Sequence, residues 1–288
     1  MEKILEIQNL CKNYKDFSLN NISMSLDRGF IMGFIGPNGA GKSTTIKLIM
    51  NLISKDSGEI RVFGQDHKKN EIKIKERIGF VYDESHYYED LTILQMKKII
   101  SKFYKKWDDN AFYQYIKAFN LPINKKIKDL SKGMKMKFSL AIALSHHAEL
   151  LIMDEPTSGL DPLVRSELLD ILMDLIQDER KGILFSTHIT SDLDKIADYI
   201  TLIHEGEVIL SLPKDEIFEQ YGIIKGRKEF LTEQTRKYFI GIKENEYGFE
   251  GLVRDKTECK RKFGPNIIVE KPNLEDVMLF YTRGGKGA

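Results

Sequence analysis

The sequence predicts an α/β fold with a parallel sheet at its centre, and three features carry that expectation. Residues 30–35 form a nearly continuous apolar run that halts at a glycine-rich stretch, as a strand buried on both faces does. Two more apolar runs, 150–153 and 183–186, are separated by a segment with Leu168, Ile171, Leu172 and Leu175 at helical spacing. Strands that alternate with helices argue for parallel pairing. Between about 86 and 147 the strand signal vanishes into Lys-, Tyr-, Phe- and Leu-rich helical spacing, so a helical region is inserted there.

In chain order, Leu5 and Ile7 alternate with Glu6 and Gln8 as in a half-buried strand, and a second strand is expected over 19–26, ended by Asp27-Arg28-Gly29. After the buried run, 44–52 places Ile46, Ile49 and Leu52 on one helical face, and 58–64 returns to strand alternation. Segments 200–203 and 208–210 flank Glu205-Gly206 as a hairpin. Past Pro213 glycines punctuate short strands such as 239–242 and 267–269, followed by a helix with Leu274, Val277, Met278 and Tyr281 at helical spacing. The expected division is a large unit over 1–213 and a small α+β accessory unit over 214–288, whose last six residues have nothing to bury.

The length of 288 residues suits one large domain with an appendage. With 42% apolar and 30% charged residues the chain can build a core, and no window approaches the ~18 apolar residues of a spanning helix. Carboxylates at Glu2 and Glu6 stand where a secretory signal would be apolar, so a cytoplasmic protein is expected. Cys11 and Cys259 are too few for a disulfide framework or a four-cysteine zinc site. A net charge of +1 removes the broad electrostatic reason to expect a nucleic-acid partner.

Gly36-Pro37-Asn38-Gly39-Ala40-Gly41-Lys42-Ser43 fits G-x-x-x-x-G-K-[ST] between an expected strand and an expected helix. The backbone N–H groups of Asn38, Gly39, Ala40, Gly41 and the following Thr44 suit a diphosphate, the helix offers its positive end, and Lys42 reaches the β- and γ-phosphates. Ser43 would place its hydroxyl on Mg²⁺, and ATP or GTP is the expected ligand. The plain alternative is a glycine-rich turn that starts a helix. An apolar strand then ends in Asp154-Glu155: Asp154 suits the magnesium shell, and Glu155 can orient or deprotonate water. A hydrolase is favoured over a kinase, against the plainer reading of an acidic pair before Pro156.

Through these motifs and those that follow, the chain resembles an ATP-binding-cassette (ABC) ATPase over about residues 3–210. Leu130-Ser131-Lys132-Gly133-Met134-Lys135 is similar to the family signature, Ser158-Gly159-Leu160-Asp161 to its D-loop, and Thr187-His188 to its switch histidine. The resemblance implies the P-loop NTPase fold of that family, a RecA-like core with an antiparallel β subdomain and the inserted helical subdomain. It also implies that Tyr14 stacks on adenine, that His188 contacts the γ-phosphate, and that Ser131, Gly133 and Met134 complete the ATP site of a second subunit. Two such chains, identical or different, would close head to tail over two ATP molecules. A histidine satisfied by nearby backbone and an ordinary core or surface tyrosine are the alternatives for His188 and Tyr14. His67, His86, His146, His147 and His204 show no paired ligand spacing and read as surface or helix-end residues.

The pattern departs from the family at two places. Asp83 stands where glutamine is usual, which puts a carboxylate beside magnesium, and the signature has Lys132 for glycine and Met134 for glutamine. Lys132 either strengthens the contact to a partner's triphosphate or points to solvent. A single cassette without a membrane span must borrow transmembrane subunits, which would hold it at the inner face of the membrane. The signature variant and the helix start at Pro272-Asn273-Leu274 are similar to ABC-2 type exporter ATPases, in particular those of the phenol-soluble modulin and antimicrobial peptide export group. The competing class is a single-cassette ATPase that energises assembly on a scaffold; a P-loop kinase would have no need for Ser131.

Overall fold

The computed structural model describes residues 2–82 and 87–283. The expectations placed on Asp83 and His86, and on the chain past Arg283, lie outside the described residues. Strands β1 (Lys3–Asn13) and β2 (Ser18–Asp27) form an antiparallel pair. A register shift between Lys3 and Leu5 turns both Ile4 and Leu5 inward, so simple alternation fails there. Next comes β3 (Ile31–Ile35), buried at every position, followed by helix α1 (Lys42–Ile49), which starts two residues ahead of the expected helix. Strand β4 (Ser57–Val62) pairs with β1, and the two-residue β5 (Gln65–Asp66) pairs with β4. This first sheet, in the order β2-β1-β4-β5, is the expected antiparallel layer. The short helix α2 (Glu71–Lys75) leads to β6 (Ile78–Val81).

The inserted region holds α3 (Ile93–Ile100), α4 (Asp109–Ala118) and α5 (Lys132–Ser145). Thr92 and Gln95 close a capping box on α3, and Asp108 accepts from the Ala111 amide at the start of α4. Helix α5 buries apolar side chains on two sides. Phe138 and Ile142 enter a core with Ile93, Phe112 and Ile116, while Met136, Leu140 and Leu144 face the sheet, so α5 joins two cores. Lys97 is buried, and its ammonium is ion-paired with Asp109. His67 and His146 are buried too, at 4% and 1% exposure; His146 follows the last residue of α5 and is the helix-end residue expected, whereas the burial of His67, just after β5, corrects its reading as a surface residue.

The chain returns through β7 (Leu150–Asp154), α6 (Pro162–Ile176), β8 (Gly182–Thr187), α7 (Thr190–Ile196), β9 (Tyr199–His204) and β10 (Glu207–Pro213). The second sheet runs β10-β9-β3-β8-β7-β6, parallel except for β10, which pairs with β9 through the expected hairpin. Because β3, β7 and β8 are neighbours, their carboxyl ends bring residues 35, 154 and 187 to one edge, where open α/β sheets hold ligands.

Helix α8 (Lys214–Gln220), β11 (Gly222–Gly226), α9 (Glu233–Arg236), β12 (Phe239–Glu244), β13 (Phe249–Val253), α10 (Lys256–Phe263), β14 (Ile267–Glu270) and α11 (Leu274–Arg283) complete the chain. The third sheet is antiparallel in the order β12-β13-β11-β14. Leu274, Val277 and Phe280 of α11 share a core with Leu193 and Ile196 of α7. The buried stripe thus includes Phe280, with Met278 and Tyr281 only partly buried, and part of it packs on the helix that follows β8.

Candidate nucleotide-binding site

The loop 36–41 runs from the buried end of β3 into α1 with Gly41 at φ 115°, a left-handed backbone that favours glycine. A Cβ at Gly41 would also stand 2.4 Å from Leu19 Cδ2, so the loop lies tight on β2. No side chain caps α1, which leaves its first amides for a ligand. The loop is held from both sides: the Ala40 amide donates to Pro37 O at 3.2 Å, and Ala40 O accepts from the Gly206 amide at 3.0 Å. Asn38 and Gly39 are exposed at the tip, Ser43 is exposed, and Thr44 is half-buried in the first turn.

Lys42 is only 6% exposed, yet its ammonium is satisfied. It donates to Gly36 O at 2.7 Å and Pro37 O at 3.3 Å, and lies 3.4 Å from Glu155 Oε1. Asp154 accepts hydrogen bonds from Ser43 and from Ser186 Oγ, the latter at 3.0 Å. Burial pushes the Asp154 carboxyl above its ordinary value, opposed by those two hydroxyls and by the Lys42 charge, with Glu155 adding to the rise. Glu155 sits at φ 50°, a conformation uncommon outside glycine, and its amide donates to Ser186 O at 2.9 Å. That twist carries its Oε2 to 2.8 Å from His188 Nδ1 and 3.3 Å from the His188 amide. Lys42, Ser43, Asp154, Glu155 and His188 therefore converge through described contacts.

Tyr14 stands in the turn between β1 and β2, 47% exposed, with the Lys12 ammonium 5.5 Å from its ring centroid. Its amide donates to Phe17 O at 2.8 Å, and Phe17 Cζ would be 3.0 Å from a Cβ at Gly41, which sets this turn beside the phosphate loop. Ser131, Gly133 and Met134 form a separate group. Ser131 caps α5 by accepting from the Met134 amide at 3.2 Å, and no described hydrogen bond joins these three residues to the phosphate loop. Gly133 is required by packing, since a Cβ there would lie 2.6 Å from Val164 Cγ1 of α6. The Lys132 ammonium turns toward Gly159, where a Cβ would stand 3.5 Å from Nζ, so this lysine meets the loop after β7 in its own chain.

Sequence reading missed three contributors. Ser186 supports Asp154 from β8, and its polar side chain at the end of an apolar run was the available signal. The Glu205-Gly206 turn was read as a hairpin but not as a support of the phosphate loop. Arg165 and Asp192, which join α6 to α7, carried no motif.

The residues fit Mg²⁺ and a nucleotide triphosphate. One carboxylate and one hydroxyl meet at the end of an uncapped helix, and among the described residues no group of three or more His, Cys, Asp or Glu could hold a metal without further ligands. Mg²⁺ suits such a site because it usually keeps water and phosphate oxygens among its ligands.

A family profile described as ABC transporter matches residues 19–158. The bacitracin transport ATP-binding protein BcrA of Bacillus licheniformis is 34% identical over 99% of this chain and 99% of its own length. The lantibiotic transport ATP-binding protein SrtF of Streptococcus pyogenes is 36% identical over 74% of this chain and 92% of its own. A solved structure described as the ATP binding subunit of an ABC transporter superposes with a TM-score of 0.69 at 29% identity, over 75% of this chain and 92% of that one. Phosphate loop, paired carboxylates and full-length similarity agree, and the chain belongs to the ABC transporter family as an ATP-binding, ATP-hydrolysing subunit.

Proposed function

We propose that the chain powers export of antimicrobial peptides through separate ABC-2 type membrane subunits, hydrolysing ATP in a head-to-tail dimer at the inner face of the membrane. Among the described residues no helix is long and apolar enough to cross a membrane, which fits a separate permease. Similarity over 99% of the chain to a bacitracin transport protein, and over 74% of it to a lantibiotic transport protein, supports the class of cargo. A third, separate antiparallel sheet formed only by strands beyond Pro213 supports a division near 213 into nucleotide-binding and accessory parts.

The observation that carries the mechanism is the Glu155 carboxylate, shared between His188 and Lys42. Lys42 and the α1 amides bind the phosphates; Ser43 and Asp154 would hold Mg²⁺, which would offset phosphate charge when bound. Glu155 accepts a proton from water as the water oxygen attacks the γ-phosphorus and the bond to the β-phosphate oxygen breaks. His188 holds Glu155 in place and reports the γ-phosphate. Tyr14 supports the adenine, and the partner's α5 end closes the site. Asp83 is assigned to the magnesium shell by its position in the sequence alone.

The test is to purify the protein from native membranes without disrupting its complexes. A polytopic membrane subunit should copurify, and a cyclic or lanthionine-type peptide antibiotic should stimulate ATP hydrolysis by the complex. Recovery with soluble scaffold proteins instead would reject transport in favour of an assembly role.

A further inference from the structure

We propose that Arg165 and Asp192 are positioning residues that set where His188 stands, an inference that rests on the role given to His188 above. Asp192 lies in the first turn of α7, four residues past His188, and is 1% exposed. Its Oδ1 accepts from Arg165 Nε at 2.5 Å, while Arg165 also donates to Ser191 Oγ at 2.8 Å. One guanidinium thus grips two successive residues of the switch helix through a planar fork, which a lysine cannot reproduce.

The other end of that grip is also near the chemistry. Arg165 belongs to the first turn of α6, and its amide donates to Asp161 O at 3.0 Å. Asp161 caps α6 through the Leu163 and Val164 amides and closes the loop that leaves Glu155. The pair therefore joins the start of α6 to the start of α7, and these two helices follow Glu155 and His188 in sequence. Between them Glu155 Oε2 and His188 Nδ1 meet at 2.8 Å.

Two further facts favour a functional grip over simple glue. Asp192 Oδ2 is buried without a hydrogen-bond partner, and a buried carboxylate with one idle oxygen is a poor way to gain stability. The far end of α7 is already anchored, because Lys214 Nζ donates to Asp194 O at 3.0 Å and Leu193 and Ile196 pack against α11. With its carboxyl end fixed by the C-terminal segment, α7 gains from Arg165 a defined direction at the end that carries His188.

The experiment compares Arg165→Met/Asp192→Leu, which removes both charges and leaves no unpaired carboxylate, with Arg165→Lys, which keeps the charge and loses the fork. Melting temperature, ATP Kd, KM, kcat and the His188 imidazole NMR signals are measured in the full chain, beside His188→Ala. In the double variant kcat should fall on the order of tenfold with Kd and KM near wild type and the His188 signals shifted; Arg165→Lys should fall several-fold. Wild-type kcat in whichever of the two variants folds, with His188→Ala inactive, would overturn the proposal. Wild-type kcat in His188→Ala would instead remove the reading of His188 on which it rests.

Discussion

Helices α1 and α5 both open with glycine, lysine and a hydroxyl side chain close together, yet their first turns are built for different ends. At α1 no side chain caps the helix, Lys42 is buried with its ammonium against Glu155, and the preceding loop is clamped by Ala40 and Gly206. At α5 Ser131 caps its own helix, Gly133 serves the packing of Val164, and Lys132 turns to Gly159. The first arrangement gathers phosphate-binding groups, a carboxylate pair and a histidine within one chain. The second satisfies itself locally and leaves Ser131 exposed, open to contact from another surface.

Glu155→Gln should have the largest effect at the first site: kcat falls on the order of 10²- to 10⁴-fold while ATP still binds, measured by steady-state turnover and nucleotide retention. Unchanged turnover would remove Glu155 as the base. Lys42→Ala should weaken ATP binding on the order of 100-fold by calorimetry, because a hydrogen-bonding cation held at a buried position is lost. Wild-type affinity there would break the contrast with α5 at its root.

Two smaller effects sharpen the α5 side. His146, at the carboxyl end of α5, stacks on Tyr104 at 3.8 Å between ring centroids, and burial lowers its pKa to about 4. As pH falls through about 6.5 the unfolded chain takes up a proton that the folded chain refuses until about 4, so stability is lost across that window. Between pH 7 and 5 the loss should be about 2 kcal/mol, and His146→Phe, which keeps a stacking ring, should lack that increment in denaturant titrations. Gly133→Ala should cost about 1 kcal/mol net, since crowding against Val164 outweighs the better helix propensity of alanine. A more stable Gly133→Ala protein would show that α5 and α6 have slack at the signature.

The same contrast explains what the sequence made legible. The phosphate loop is a local motif whose spacing alone states its chemistry, and the apolar runs ending at 35, 154 and 187 announce the strands that carry it. The meeting of Lys42, Glu155 and His188 depends on β3, β8 and β7 being neighbours, which resemblance supplied and spacing did not. Ser186, Arg165 and Asp192 act across elements distant in sequence, so no window of residues reveals them. The burial of Lys97 and His146 is not legible in the sequence because it goes with Asp109 and Tyr104, partners that charge patterning cannot identify. The register shift in β1 that goes with the burial of both Ile4 and Leu5 belongs to strand pairing, which alternation assumes to be regular.

The central claim is that α5 acts on a nucleotide held by another chain, and ATP-dependent assembly tests it most directly. Light scattering of Glu155→Gln with ATP and Mg²⁺ should show a monomer becoming a dimer, because triphosphate bound between two surfaces favours the assembled state. Adding Ser131→Arg should abolish the dimer while single-chain ATP affinity stays near that of Glu155→Gln. A dimer that survives Ser131→Arg, or a protein that stays monomeric at every concentration and still hydrolyses ATP, would contradict the account.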